Sequence, residues 1–206
     1  MALSLSRDGI DKFNTENIYG MEMFMGAVSD YIAARCCLLN GLFSGLYLGA
    51  LSVEKVFKAI LYIETNSKLK IHDLIGLKSE LTKHKDYGLD RFDGYLKKLY
   101  SDYQARYHDN PDRSMSMNTK ELDELDELWL YLVEMLPAPD EVKYNTAFFA
   151  FLFAAPGFGY DFWLSKNNKA LNMRFRGFAA RYLEVFDHLY PNIEPPSDIS
   201  NLRSLV

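Results

Sequence analysis

Apolar residues recur every three to four positions along most of the chain, and no clean strand–turn–strand pattern interrupts them, so the sequence predicts an all-α fold. A first helix is expected from about Tyr19 to Leu39 and a second from about Gly41 to Glu64. In the second, Leu46, Ala50, Val53, Phe57, Ile60 and Leu61 form one apolar stripe, and Glu54 can pair with Lys58 one turn on. Thr65-Asn66-Ser67 ends it. A shorter helix starts near Ile71 or His72 and runs towards Lys83, with Leu74, Leu77 and Leu81 inward. A fourth, from about Leu89 to Arg106, turns Phe92, Tyr95, Leu96, Leu99 and Tyr103 inward. Gly41, Gly45 and Gly49 recur every four residues and are expected on one side of a helix, where another backbone can come close.

His108 to Met117 reads as a polar loop around Asn110-Pro111-Asp112. Asn118 then resembles a helix N-cap, with Glu121 three residues later as in a capping box. The helix that follows is expected to hold Leu122, Leu125, Trp129, Leu132 and Leu136 inside and its carboxylates outside. Its run of Glu121, Asp123, Glu124, Asp126 and Glu127 reads as a solvated face that suits the helix dipole, in preference to a metal site. Pro137-Ala138-Pro139 is the strongest internal boundary. Beyond it, Asp140 to Ala155 is apolar on all sides, a buried helix by that measure, although Phe149, Phe151 and Phe153 also alternate as a strand would. Pro156-Gly157 breaks that stretch. An amphipathic last helix is expected from about Asn168 to Tyr190, before an extended tail with Pro195-Pro196.

Composition narrows the picture only in places. Aromatic residues make up 15% of the 206, which implies a large core, an adhesive interface, or both. A net charge of −5 argues against a protein that coats nucleic acid by bulk attraction. Residues 114–142 hold 1 basic and 8 acidic groups and so supply the acidity, leaving room for a local basic cleft elsewhere. The two cysteines, Cys36 and Cys37, are adjacent and read as small core residues of a reducing compartment. Met1 to Asp11 has no signal pattern, and a cytoplasmic protein is expected. Cys36 to Val53 and Tyr144 to Tyr160 are uncharged, but Asn40, Ser44 and Ser52 interrupt the first and Pro156-Gly157 the second, so burial is favoured over membrane spanning.

Phosphate-cradling glycine loops, a His-Glu-x-x-His helix and a nucleophile elbow are all missing from the sequence. Three stretches carry a resemblance instead. Gly49-Ala50-Leu51-Ser52-Val53-Glu54-Lys55-Val56-Phe57-Lys58-Ala59-Ile60-Leu61 resembles the second-helix signature of the HEPN family (higher eukaryotes and prokaryotes nucleotide-binding). Ile71-His72-Asp73-Leu74-Ile75-Gly76-Leu77 is similar to that family's His-Asp-Leu-x-x-Leu segment, and Leu99-Tyr100-Ser101-Asp102-Tyr103-Gln104-Ala105-Arg106-Tyr107 to its Tyr-x-x-Ala-Arg-Tyr-Pro stretch. The likeness spans about Tyr19 to Leu136. It implies an up-and-down bundle over residues 19–137, with 1–18 as a lead-in and 138–206 as an aromatic-rich C-terminal extension on the bundle or at a dimer interface. It also implies a homodimer, an RNA or nucleotide ligand, and in some members a nucleotidyltransferase-type protein partner. Active members are metal-independent ribonucleases of toxin or defence type, without a cofactor. In these an Arg, followed after four to six residues by a His, forms a site across the dimer: the His as general base on a ribose 2′-hydroxyl, the Arg stabilising charge on the phosphate.

The chain departs from that pattern. His108 stands where the family has Pro, giving Arg106-Tyr107-His108. The spacing rule is met by Arg181 and His188, seven apart and therefore on one helix face, with Arg174 seven residues earlier on the same line. The candidate catalytic residues are thus Arg181 with His188, and Arg106 with His108. Arg106, Tyr107, Arg174 and His72 are the candidate contacts to RNA or nucleotide. Against these stand plainer readings: Arg106 paired with Asp102 or Asp109, His72 packing or capping at a helix start, Asp73 serving the dipole, and Lys55 and Lys58 as surface charges. Two functions follow: a protein acting on or binding RNA or nucleotides, with metal-independent cleavage as its active form, and alternatively a non-catalytic dimeric interaction module.

Overall fold

The computed structural model describes residues 5–105, 117, 120–143, 167–169, 180–181 and 183–192. Among these residues the regular structure is entirely helical, a bundle without strands. The elements are α1 (Arg7–Glu16), α2 (Ile18–Leu39), α3 (Ser44–Thr65), α4 (Leu74–His84), a 3₁₀ turn (Leu89–Phe92), α5 (Asp93–Gln104), α6 (Glu121–Met135) and the single turn α7 (Asp140–Val142). Residues 183–189 are helical as well. The expected loop around 108–116, the Asn118 cap, the stretch 144–160, most of the last helix and the tail lie outside the described residues.

The 36–53 stretch is not one helix. The backbone N–H groups of Gly41 and Leu42 bond the carbonyls of Leu38 (3.1 Å) and Cys37 (2.9 Å), the paired bonds of a Schellman motif. Gly41 sits at φ 71°, where a side chain would be strained, so it closes α2 and does not join a glycine face on the next helix. Gly45 and Gly49 do serve close packing: a Cβ on Gly45 would lie 2.8 Å from the Ala34 carbonyl oxygen, and one on Gly49 would meet Leu125 at 3.3 Å. The partners Gly20/Tyr62, Ala27/Ser52 and Leu38/Gly45 place α2 and α3 antiparallel about that turn. Among the described residues no helix is long and apolar enough to cross a membrane.

The core is continuous from Phe24, Val28 and Tyr31 of α2, through Val53, Phe57 and Ile60 of α3, to Leu125, Trp129 and Val133 of α6. Leu183, Val185, Phe186 and Leu189 join the same cluster, as does Ile10 of α1, a helix within the expected lead-in. Ser6 starts α1, its hydroxyl accepting from the Gly9 N–H. Phe92, Tyr95, Leu96, Leu99 and Tyr103 are buried as the pattern predicts, but the chain winds 3₁₀ through Leu89–Phe92 before α5 begins. Helix α6 begins at Glu121, preceded by Lys120 without a side-chain cap. The Glu121 carboxylate pairs with Lys98 of α5.

The acidic face of α6 is a correction. Glu121 and Asp126 are buried, Asp126 completely, because each meets a cation from a neighbouring helix. Arg35 of α2 donates to Asp126 with both side chains fully inaccessible, and the Tyr31 hydroxyl donates to the same carboxylate at 2.7 Å. Tyr31 stacks on Trp129 with centroids 4.2 Å apart, and Asn168 donates to its hydroxyl. The Trp129 indole N–H is satisfied by Ser52, whose own hydroxyl donates to the Ala27 carbonyl at 2.9 Å. Lys58 corrects the surface-charge reading in the same way: it is buried against Glu54.

Candidate functional site

The middle of α3 carries Glu54 and Lys58 one turn apart, and the expected pair forms, with Lys58 Nζ 2.8 Å from Glu54 Oε1. Each side chain is 9% exposed, so the pair is held in a narrow geometry by the helices around it. Asn66, at φ 54°, ends α3 with a left-handed residue, and the chain then runs back beside the helix. From Thr65 to Glu54 is about 16 Å along a helix, which seven residues of linker span easily. Asp73 halts this return by capping α4: its carboxylate accepts from the Ile75 and Gly76 N–H groups, each at 3.1 Å. The cap sets the residue before it, His72, over α3, where Nδ1 lies 2.9 Å from Glu54 Oε1.

One buried carboxylate oxygen therefore holds an ammonium and an imidazole. Lys58 balances the charge of Glu54, and the imidazole, 66% exposed, is the part of the cluster that reaches solvent. Lys55 crosses to Asp30 of α2 at 2.7 Å, and farther along α3 Tyr62 packs against Tyr19 with ring centroids 5.0 Å apart. Lys68, in the linker, covers the Tyr19 ring at 4.6 Å. Cations, a pair of half-buried tyrosines and an oriented histidine thus share the α2–α3–linker surface. His72 was a candidate ligand contact in the sequence. Glu54 as its partner, eighteen positions away, had no local signal.

Arg181 and, among the helical residues 183–189, His188 are both engaged within the chain. Arg181 Nε donates to Asp140 Oδ2 at 2.9 Å, and its guanidinium also pairs with Glu184. Its burial works against the charge, but the bonds to Glu184 and Asp140 hold it protonated more firmly than an ordinary arginine. It lines a groove of about 400 Å³ with Lys85, Glu134, Pro139 and Lys143. Burial lowers the Lys143 ammonium from its usual range, with Asp140 opposing the shift. His188 Nε2 bonds the Leu5 carbonyl at 2.9 Å, so that nitrogen donates. Arg106, Tyr107, His108 and Arg174 lie outside the described residues, and Asp102, one suggested partner of Arg106, is paired with Lys98 at 2.7 Å. Among the described residues no group of three or more His, Cys, Asp or Glu is arranged to hold a metal ion. No protein-family description matches this chain, and no curated protein or solved structure matches it.

Proposed function

We propose that this chain is a HEPN-like bundle with an aromatic-rich C-terminal extension that acts on or binds RNA or nucleotides as a cytoplasmic homodimer, with metal-independent cleavage as its active form. One observation carries the reading. Two of the three motif stretches that bear the resemblance, 49–61 and 71–77, meet through Glu54 and His72 at 2.9 Å, beside Lys58. An imidazole oriented by a carboxylate can serve as a general base in a phosphodiester reaction that uses no metal. The test is cleavage and binding of a labelled mixed-sequence RNA in excess EDTA, with wild type, Arg181→Ala, His188→Ala and Arg106→Ala compared. Binding with metal-independent cleavage supports the proposal, and loss in a particular variant assigns its site. An RNA that is neither bound nor cleaved overturns it.

A second reading has its own support. Arg181 is bound by two carboxylates and His188 by a backbone carbonyl, bonds that suit structural residues of a non-catalytic dimeric module partnering a nucleotidyltransferase or another protein. A ribonuclease of toxin type damages the cell that overproduces it, and an interaction module does not. Growth of an expression host with wild type, set against the EDTA assay, separates the two.

A further inference from the structure

We infer that His72 is the catalytic base of this surface and Glu54 its positioning residue, acting on the ribose 2′-hydroxyl of a bound RNA strand; the inference rests on the RNA reading above. An ionised carboxylate can only accept, so in the 2.9 Å bond the His72 Nδ1–H donates to Glu54. The neutral ring then carries its lone pair on Nε2, at the edge facing away from Glu54, on a side chain that is 66% exposed. Glu54 is itself immobilised by burial in α3 and by Lys58, so the ring is oriented before any ligand arrives. His188 has the opposite arrangement: its Nε2 is bound to the Leu5 carbonyl.

The step this geometry allows is balanced without a metal or a redox partner. Nε2 takes the proton of the 2′-hydroxyl as that oxygen attacks the adjacent phosphorus. The bond from phosphorus to the 5′ oxygen breaks, its electron pair stays on that oxygen, and water supplies the proton the leaving group needs. The imidazolium then returns its proton to the hydroxide so formed. The products are a 2′,3′-cyclic phosphate and a 5′-hydroxyl. Lys58 cancels the Glu54 charge that would otherwise repel the phosphate, and the exposed Lys68 and Lys70 of the same linker add positive charge nearby.

The experiment follows cleavage and binding of a fluorescent single-stranded RNA in EDTA by wild type, His72→Ala and Glu54→Gln, with added imidazole and with a melting curve for each variant. A 2′-deoxy substitution at the cleaved position serves as the substrate control. His72→Ala is expected to bind RNA and melt like wild type, to lose about 100-fold or more in cleavage rate, and to regain part of it with imidazole. Glu54→Gln keeps the hydrogen bond but not the charge, and is expected to lower kcat with KM unchanged. The wild-type product carries a cyclic phosphate, and the 2′-deoxy substrate is not cleaved. Cleavage by His72→Ala at the wild-type rate, loss that imidazole does not restore, or binding by wild type without cleavage overturns the catalytic assignment and leaves the RNA reading standing. Absence of binding by wild type overturns both.

Discussion

Asp126 shows how far one residue's surroundings can outweigh its local sequence. Within Glu121–Glu127 it looks like one of several solvated carboxylates, yet it is fully buried between Arg35 and Tyr31. Burial raises its carboxyl from 3.8 to about 6, and the Arg35 charge and the bonds from Arg35 and Tyr31 offset only part of that rise. A folded value above the ordinary one means that the fold favours the neutral acid. The contribution of Asp126 to stability is therefore complete below about pH 4 and is lost as the pH rises through about 6, roughly 3 kcal/mol in all. Chemical unfolding measured from pH 4 to 7 should show this slope in wild type and lack it in Asp126→Asn. Arg35→Met should cost about 3–5 kcal/mol at pH 7, because the remaining carboxylate has no counter-charge, and less at pH 5, where it can take up a proton. An equal loss at both pH values would contradict the linkage.

At the level of elements, the ends of helices decide where the chemistry sits. The Asp73 cap holds the first turn of α4 and, through it, the position of His72. Asp73→Ala should cost about 1 kcal/mol in urea unfolding, and amide exchange should quicken at Ile75 and Gly76, whose donors lose their acceptor. The α2–α3 hairpin makes a different demand. A methyl group on Gly45 would press on the Ala34 carbonyl and on Leu38, so Gly45→Ala should destabilise by about 1–3 kcal/mol despite the better helix propensity of alanine. Gly41→Ala should cost about 1 kcal/mol by a separate route, the positive φ of the Schellman turn. Denaturant midpoints of the two variants compare these terms directly. The periodicity read the bodies of α2, α3 and α4 within a few residues, since a 3.6-residue apolar stripe is a local property. It began the second helix at Gly41, three residues before α3 starts, because uncharged residues flank that turn on both sides, and it missed α1, whose single buried apolar residue is Ile10.

Across the whole molecule, the first described residues are held by distant ones. Leu5 donates its N–H to Glu141 at 3.1 Å and accepts from His188, and Arg7 lies over the Tyr190 ring at 4.4 Å. Deleting residues 1–6 should therefore lower the melting temperature and speed amide exchange in 183–189, while His188→Ala alone costs about 1 kcal/mol. Unchanged exchange after the deletion would show that these contacts do not couple the two ends. The all-helical class, the inward faces of α4 and α5 and the Glu54–Lys58 pair were legible along the chain, because each depends on residues within one or two helical turns. The meeting of His72 with Glu54, the burial of Asp126 and Lys58, and the bonds that engage Arg181 and His188 were not. These depend on which helix lies opposite and at what register, and burial together with an opposite charge from a remote segment sets whether a polar side chain is solvated, structural or poised for chemistry.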